Sequence, residues 1–198
     1  MRSPASFALS SLALLLLLGC ASTRVVDSWI APGVTPSSLS FRHVVAIAVV
    51  RDEATQNIAE EALAQNVKKT KVTPAYVLVT QSDRSDVERL RAKLTKAGVD
   101  GAVTVRLVDI QDRETYIPGA THRVHGGYYG YYGAIVQEPG HYRSDTYVKI
   151  ETSLYDVAAG KLLWSSISES LNPSNVRGAI KEVVNAARSD LTKRGLLQ

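Results

Sequence analysis

The chain holds one cysteine, Cys20, and one methionine, Met1, among 198 residues. A single thiol excludes an internal disulfide, and it excludes zinc or iron–sulfur centres built from several cysteines. Basic residues exceed acidic ones by four, but they are scattered along the chain, so the block of positive charge that marks nucleic-acid binding is missing. No apolar run reaches the roughly 20 residues that a membrane-spanning helix needs. G-x-S-x-G, the phosphate loop, H-E-x-x-H and C-x-x-C are all absent, so no residue set announces acyl transfer, phosphoryl transfer, zinc hydrolysis or thiol redox chemistry. No enzymatic activity, cofactor or metal is expected on these grounds.

The amino terminus is informative. Arg2 precedes an apolar run from Phe7 to Leu18 that ends at Gly19, the anatomy of an export signal spanning residues 1–19. Leu17, Leu18, Gly19 and Cys20 resemble the lipobox of bacterial lipoproteins. That resemblance implies cleavage before Cys20 and a diacylglyceryl group on its sulfur, a thiolate being a strong nucleophile near neutral pH. Acyl chains at Cys20 then make the membrane the first partner, since two or more lipid signals give stable anchoring. Ala21, where an inner-membrane retention signal usually shows Asp, is similar to the outer-membrane pattern, which implies the periplasmic face of that membrane. The competing reading is a secreted protein cleaved nearby with Cys20 as a spare thiol. Residues 20–42 are rich in Ser, Thr, Pro and Gly and read as a tether, with Trp29 and Val25-Val26 expected to dock part of it on the domain.

From residue 43 to 198 the patterning predicts one α/β domain of order β-α-β-α-β-β-β-α, a mixed five-stranded sheet with helices on both faces. HVVAIAVV from His43 to Val50 is a strand buried on both sides. Asp52 caps a helix reaching about Lys68, with Ile58, Ala62 and Val67 on one face. A strand follows from Lys71 to Thr80. Ser85 and Glu88 fit a capping box for a helix closed by Gly98. Asp100–Gln111, Ser144–Asp156 and Lys161–Ser170 are strands, the last two joined as a hairpin through Ala158-Ala159-Gly160. Val176, Ile180, Val183, Val184, Ala187 and Leu191 form one stripe of a final helix ending at Gly195.

The hairpin Glu151-Thr152-Ser153-Leu154-Tyr155-Asp156 with Gly160-Lys161-Leu162-Leu163-Trp164-Ser165 resembles one found in periplasmic α/β domains. These include the curli secretion lipoprotein, lipoproteins that activate penicillin-binding proteins, the amino-terminal domain of the Tol propeller protein and uncharacterised outer-membrane lipoproteins. Asp156 suits the turn as an acceptor of backbone N–H groups, Gly160 tolerates positive φ, and Trp164 packs beside the final helix. The resemblance implies fold over residues 43–195 and carries no site residues. It adds no membrane-spanning hairpins, so a pore is not expected.

Between the third and fourth strands, residues 117–143 form a long loop in which Gly-Tyr-Tyr occurs twice, at Gly127-Tyr128-Tyr129 and Gly130-Tyr131-Tyr132. Tyr gives broad contact at low entropic cost and Gly gives adaptability, the composition of binding loops. An envelope protein partner suits it, and a glycan stacked on the rings also fits. The plain alternative is a solvated hairpin tip. His122, His125 and His141 flank the loop, with Glu138 and Asp145 as oxygen donors, but their spacing matches no tight ligand pattern and no metal is assigned. Two functions stay open: a non-enzymatic envelope interaction or assembly module working through this loop or a sheet edge, or a glycan- or small-ligand-binding protein or hydrolase using the tyrosines and histidines.

Overall fold

A computed structural model of the chain describes residues 23–84, 86–119, 121–123, 135–137 and 139–197. Eight strands are present among the described residues: β1 (Thr23–Ile30), β2 (His43–Val49), β3 (Lys71–Pro74), β4 (Gly101–Ile117), β5 (Thr121–Arg123), β6 (Ile135–Gln137), β7 (His141–Asp156) and β8 (Lys161–Leu171). The helices are α1 (Glu53–Asn66), the short α2 (Ala75–Leu78) and α3 (Gln81–Arg84), α4 (Val87–Lys96) and α5 (Val176–Lys193). The class is α/β as the patterning predicts, but the main sheet has six strands rather than five, in the order β1-β8-β7-β4-β2-β3. β2 runs parallel to β3 and β4, and the remaining pairs are antiparallel. β5 and β6 form a separate antiparallel pair.

The sixth strand comes from the segment expected to be a tether. Thr23–Ile30 pairs antiparallel with β8, whose outer N–H and C=O groups would otherwise lack partners. Side chains reinforce the ladder: Thr23 bonds Ser170 at 2.7 Å and donates to Glu182 at 2.5 Å, and Arg24 meets Glu169 at 3.0 Å. Docking therefore runs through backbone and polar contacts and through Ile30, which packs beside Trp164, whereas Trp29 stays half exposed. Thr23, the first described residue, is thus already part of the sheet, within the segment expected to be a tether.

Two apolar layers sandwich the sheet. On one face Val44, Ala46, Val103, Val105 and Ile150 meet Ala59 and Leu63 of α1 and Ile180 and Val183 of α5. On the other, Val45 and Ala102 meet Ala75, Leu94 and Val99. Trp164 and Leu163 of β8 close a third cluster with Ala187, Leu191 and Leu196. Asp52 caps α1 as expected, its carboxylate accepting from Thr55 N–H at 2.7 Å. Of the expected face of α1, Ala62 is buried and Val67 packs against the core, but Ile58 is exposed, and Gln56, Ala59, Glu60 and Leu63 complete the inward side. α4 is capped by Asp86 rather than Ser85, with Asp86 accepting from Arg89 N–H at 3.0 Å. The strand expected to reach Thr80 stops at Pro74, which has no N–H to continue a ladder, and the chain turns into α2. At the β7–β8 turn, Asp156 accepts from Ala159 N–H at 2.8 Å and Gly160 adopts φ +63°, both as the sequence predicts.

Candidate functional site

β4 and β7 are much longer than the 100–111 and 144–156 strands expected. They pair from Gly101–Asp156 out to Ile117–His141, while β8 covers β7 only as far as Tyr147. Beyond that point β4 and β7 continue as a two-stranded ribbon that no third strand covers among the described residues. The expected 117–143 loop is thus shortened to the end of this ribbon, and it includes the β5–β6 pair.

The root of the ribbon is built by Asn172. It sits just past β8 with φ 48°, a left-handed conformation that Asn accommodates better than most residues. Its backbone N–H donates to Thr146 O at 2.8 Å and its side-chain oxygen accepts Thr146 N–H at 2.7 Å, so one residue supplies both ladder bonds where β8 has ended. Its amide nitrogen donates to Asp145 at 2.8 Å. Asp145 is buried and accepts from Arg143 Nε at 3.0 and 2.9 Å on its two oxygens. The Arg143 guanidinium, and after it Asn172, hold the Asp145 carboxyl below the usual carboxylate range. A carboxylate of this kind stabilises the fold above its unfolded pKa of about 3.9 and loses that effect as pH falls through its lower folded value. Wild-type stability is therefore expected to decline in acid more steeply than that of Asp145→Asn, and urea midpoints between about pH 5 and pH 2 measure the difference in slope.

Further out, Thr146 donates to Asp112 at 2.6 Å, Arg113 lies over the Tyr147 ring at 4.4 Å, and the cross-strand pair Tyr116–Tyr142 holds its rings 5.1 Å apart at 53°. Both of these tyrosines are exposed, Tyr142 to 72%. Where the ribbon joins the body, a wholly apolar hollow of about 280 Å³ opens between it and the starts of α1 and α5, lined by Leu107, Ile110, Val148, Ile150 and Ile180 among others.

The residues singled out in the sequence fare differently. His141 is exposed at the first position of β7, opposite Ile117. His122 lies on β5 in register with Val136. His125, Tyr128, Tyr129, Tyr131, Tyr132, Glu138 and Cys20 lie outside the described residues. Asp145, considered above as a possible metal donor, is committed to Arg143 and Asn172, and no group of three metal-ligating side chains occurs among the described residues. The fourth histidine, His43, is structural: its ring bonds Ala97 O at 3.1 Å and Thr73 Oγ1 at 2.8 Å.

At the carboxyl ends of β2 and β3, where open α/β sheets place ligands, Arg51, Asp52 and Glu53 are exposed, and Asp52 serves as the cap. The notable group there is Glu60, fully buried on α1. It accepts from Ala48 N–H at 3.2 Å, Gln56 Nε2 at 3.1 Å, Arg84 Nη2 at 3.0 Å and Tyr76 N–H at 2.9 Å. Three of these donors meet Oε1 and one meets Oε2, so the carboxylate ties β2, α1, α2 and α3 together, and its full burial keeps it out of reach of a substrate.

No family model matches the chain, and no curated protein sequence matches it. Its chain path is similar to that of the PelC dodecamer from Paraburkholderia phytofirmans, at 10% identity over 83% of this chain and 96% of that one, with a TM-score of 0.44. A second structure of PelC from the same organism gives 11% identity, 81% and 92% coverage and a TM-score of 0.45. Lipoprotein GNA1162 from Neisseria meningitidis is similar at 16% identity over 77% of this chain and 99% of that one, with a TM-score of 0.41.

Proposed function

We propose that this protein is a lipid-anchored, non-enzymatic module of the bacterial envelope, held at the periplasmic face of the outer membrane through Cys20, whose β4–β7 ribbon presents a contact surface to another envelope protein. The observation that carries this reading is the ribbon itself. Seven further cross-strand pairs beyond Ile110–Val148 add nothing to the three apolar clusters, yet Asn172, Asp145 and Arg143 fix their root with a full set of bonds. Such an arrangement is costly to order unless it meets something outside the domain. The Gly-Tyr-Tyr sequence between its two strands has a composition that suits protein contact. The anchor rests on the export-signal anatomy and on the chain's one cysteine falling at the lipobox position.

Two measurements test the two halves. Cys20→Ser is expected to move the protein out of the membrane fraction or leave it as uncleaved precursor; a mature, membrane-bound Cys20→Ser protein contradicts the anchor. Crosslinking followed by purification from outer membranes is expected to recover one specific protein, and removal of Gly126–Gly133 is expected to lose it. Retained capture after that deletion contradicts the role of the Gly/Tyr segment.

A further inference from the structure

Strand register fixes where the chain upstream of β1 reaches the sheet. Thr23 pairs with Ser170, Ser170 with Val148, and Val148 with Ile110, so these four residues lie in one row across the sheet. β1 is antiparallel to β8 and β8 to β7, which means that the chain preceding Thr23 departs from the same end of the sheet as the ribbon. From that row the ribbon runs seven residues further to Ile117 and His141, about 23 Å at about 3.3 Å per residue. Only two residues, Ala21 and Ser22, lie between Cys20 and Thr23, so the three Cα steps span at most roughly 11 Å of fully extended backbone. An acylated Cys20 holds Thr23 within that distance of lipid, and the ribbon leaves the row two to three strand spacings away, about 10–14 Å, and runs about twice the tether's reach beyond it.

We infer that the walls of the β4–β7 ribbon rest on the bilayer that receives the Cys20 acyl chains, with the Tyr116–Tyr142 pair in its headgroup region. This rests on the anchor proposed above and names what covers the ribbon walls; the Gly/Tyr segment between them is left to the protein partner. A tether this short keeps the β1 edge of the sheet, and with it the root of the ribbon, close to the surface. The side chains suit the contact. Leu107, Val108 and Ile110 are large and exposed at the root of the ribbon, as are Tyr116 and Tyr142 near its outer end. Tyrosine is favoured at the membrane–water boundary, where its ring meets apolar chains and its hydroxyl meets water. The charges along the walls nearly cancel, with Asp109, Asp112, Glu114 and Asp145 against Arg113, Arg143 and Lys149. Contact therefore does not depend on anionic lipid.

The test uses the full-length acylated protein, reconstituted in phosphatidylcholine vesicles that carry brominated acyl chains. Tyr142→Cys and Thr115→Cys place reporters on the ribbon, and Ala159→Cys places one on the β7–β8 turn at the far end of the sheet. Each engineered thiol is the only free one once Cys20 is acylated, and each takes an environment-sensitive fluorophore. Labels at 142 and 115 are expected to shift to the blue and to lose at least about half their emission to the bromines, with the label at 159 unchanged. Labels at 142 and 115 quenched no more than the one at 159, in protein whose amino-terminal peptide carries acyl mass, overturn the membrane contact and leave the anchor standing. Absence of acyl mass on that peptide overturns the anchor and the contact together.

Discussion

Glu60→Ala is expected to lower unfolding free energy by about 3 kcal/mol, because it strips four donors of their shared acceptor. Arg84 is the worst affected. Its side chain is 20% exposed, and its Nε has no partner among the described residues, so the guanidinium would keep its charge in a largely enclosed place with its chief counter-charge gone. The N–H groups of Ala48 and Tyr76 lose their acceptor as well. Partial exposure of Arg84 lets some water in and places the cost at the lower end of the range for breaking a buried ion pair. Glu60→Gln keeps an acceptor oxygen in place and is expected to cost about 1–2 kcal/mol, the difference between charged and neutral hydrogen bonding. Urea midpoints compare the three proteins at constant slope. A loss under about 1 kcal/mol for Glu60→Ala contradicts the clamp assigned to this carboxylate.

Trp164→Ala is expected to cost more, about 3–5 kcal/mol, as large-to-small changes of fully buried aromatics do. The indole is wholly enclosed beside α5, and its Nε1 donates to Asp190 at 3.1 Å. Truncation empties the centre of the cluster that binds β8 to the last turns of α5 and to Leu39. Trp164→Phe refills most of that volume but drops the N–H donor. Asp190 retains its bond from Arg194 at 2.9 Å, so the expected loss is only about 1–2 kcal/mol. The two tryptophans also separate well by fluorescence, since Trp29 is half exposed. Emission near the buried wavelength should vanish in Trp164→Ala even below the unfolding transition. A Trp164→Ala protein as stable as Trp164→Phe contradicts the packing argument.

Elements whose information is local were legible in the sequence. The stripe of Ile180, Val183, Val184, Ala187 and Leu191 faces the core as its 3.6-residue spacing demands. Asp156 and Gly160 shape a turn whose bonds close within four residues. What escaped were features decided by distant partners. β1 has the composition of a linker, and its strand state is settled by β8, 147 residues away between Thr23 and Ser170. The outer half of β4, from Gln111 to Ile117, has no buried face, so it shows no apolar alternation. Its pairing comes from cross-strand partners such as Asp112 with Thr146. Glu60 reads as a solvent-facing charge until Ala48 and Tyr76, 12 and 16 residues away, turn their N–H groups toward it. Of the candidate site, the Gly/Tyr composition was visible, but the ribbon that carries it was not.

The two borders of the main sheet have a consequence for behaviour in a crowd. β3 is four residues long and ends in Pro74, and β1 is broken by a bulge between Val25 and Asp27. Proline withholds a donor, and a bulge twists the neighbouring groups out of line, so neither border offers the long flat row that a second sheet could extend. Confinement to a surface raises local concentration far above that of a free protein and favours edge-to-edge stacking into fibres. A sheet with blunted borders can be packed densely side by side and still remain separate molecules.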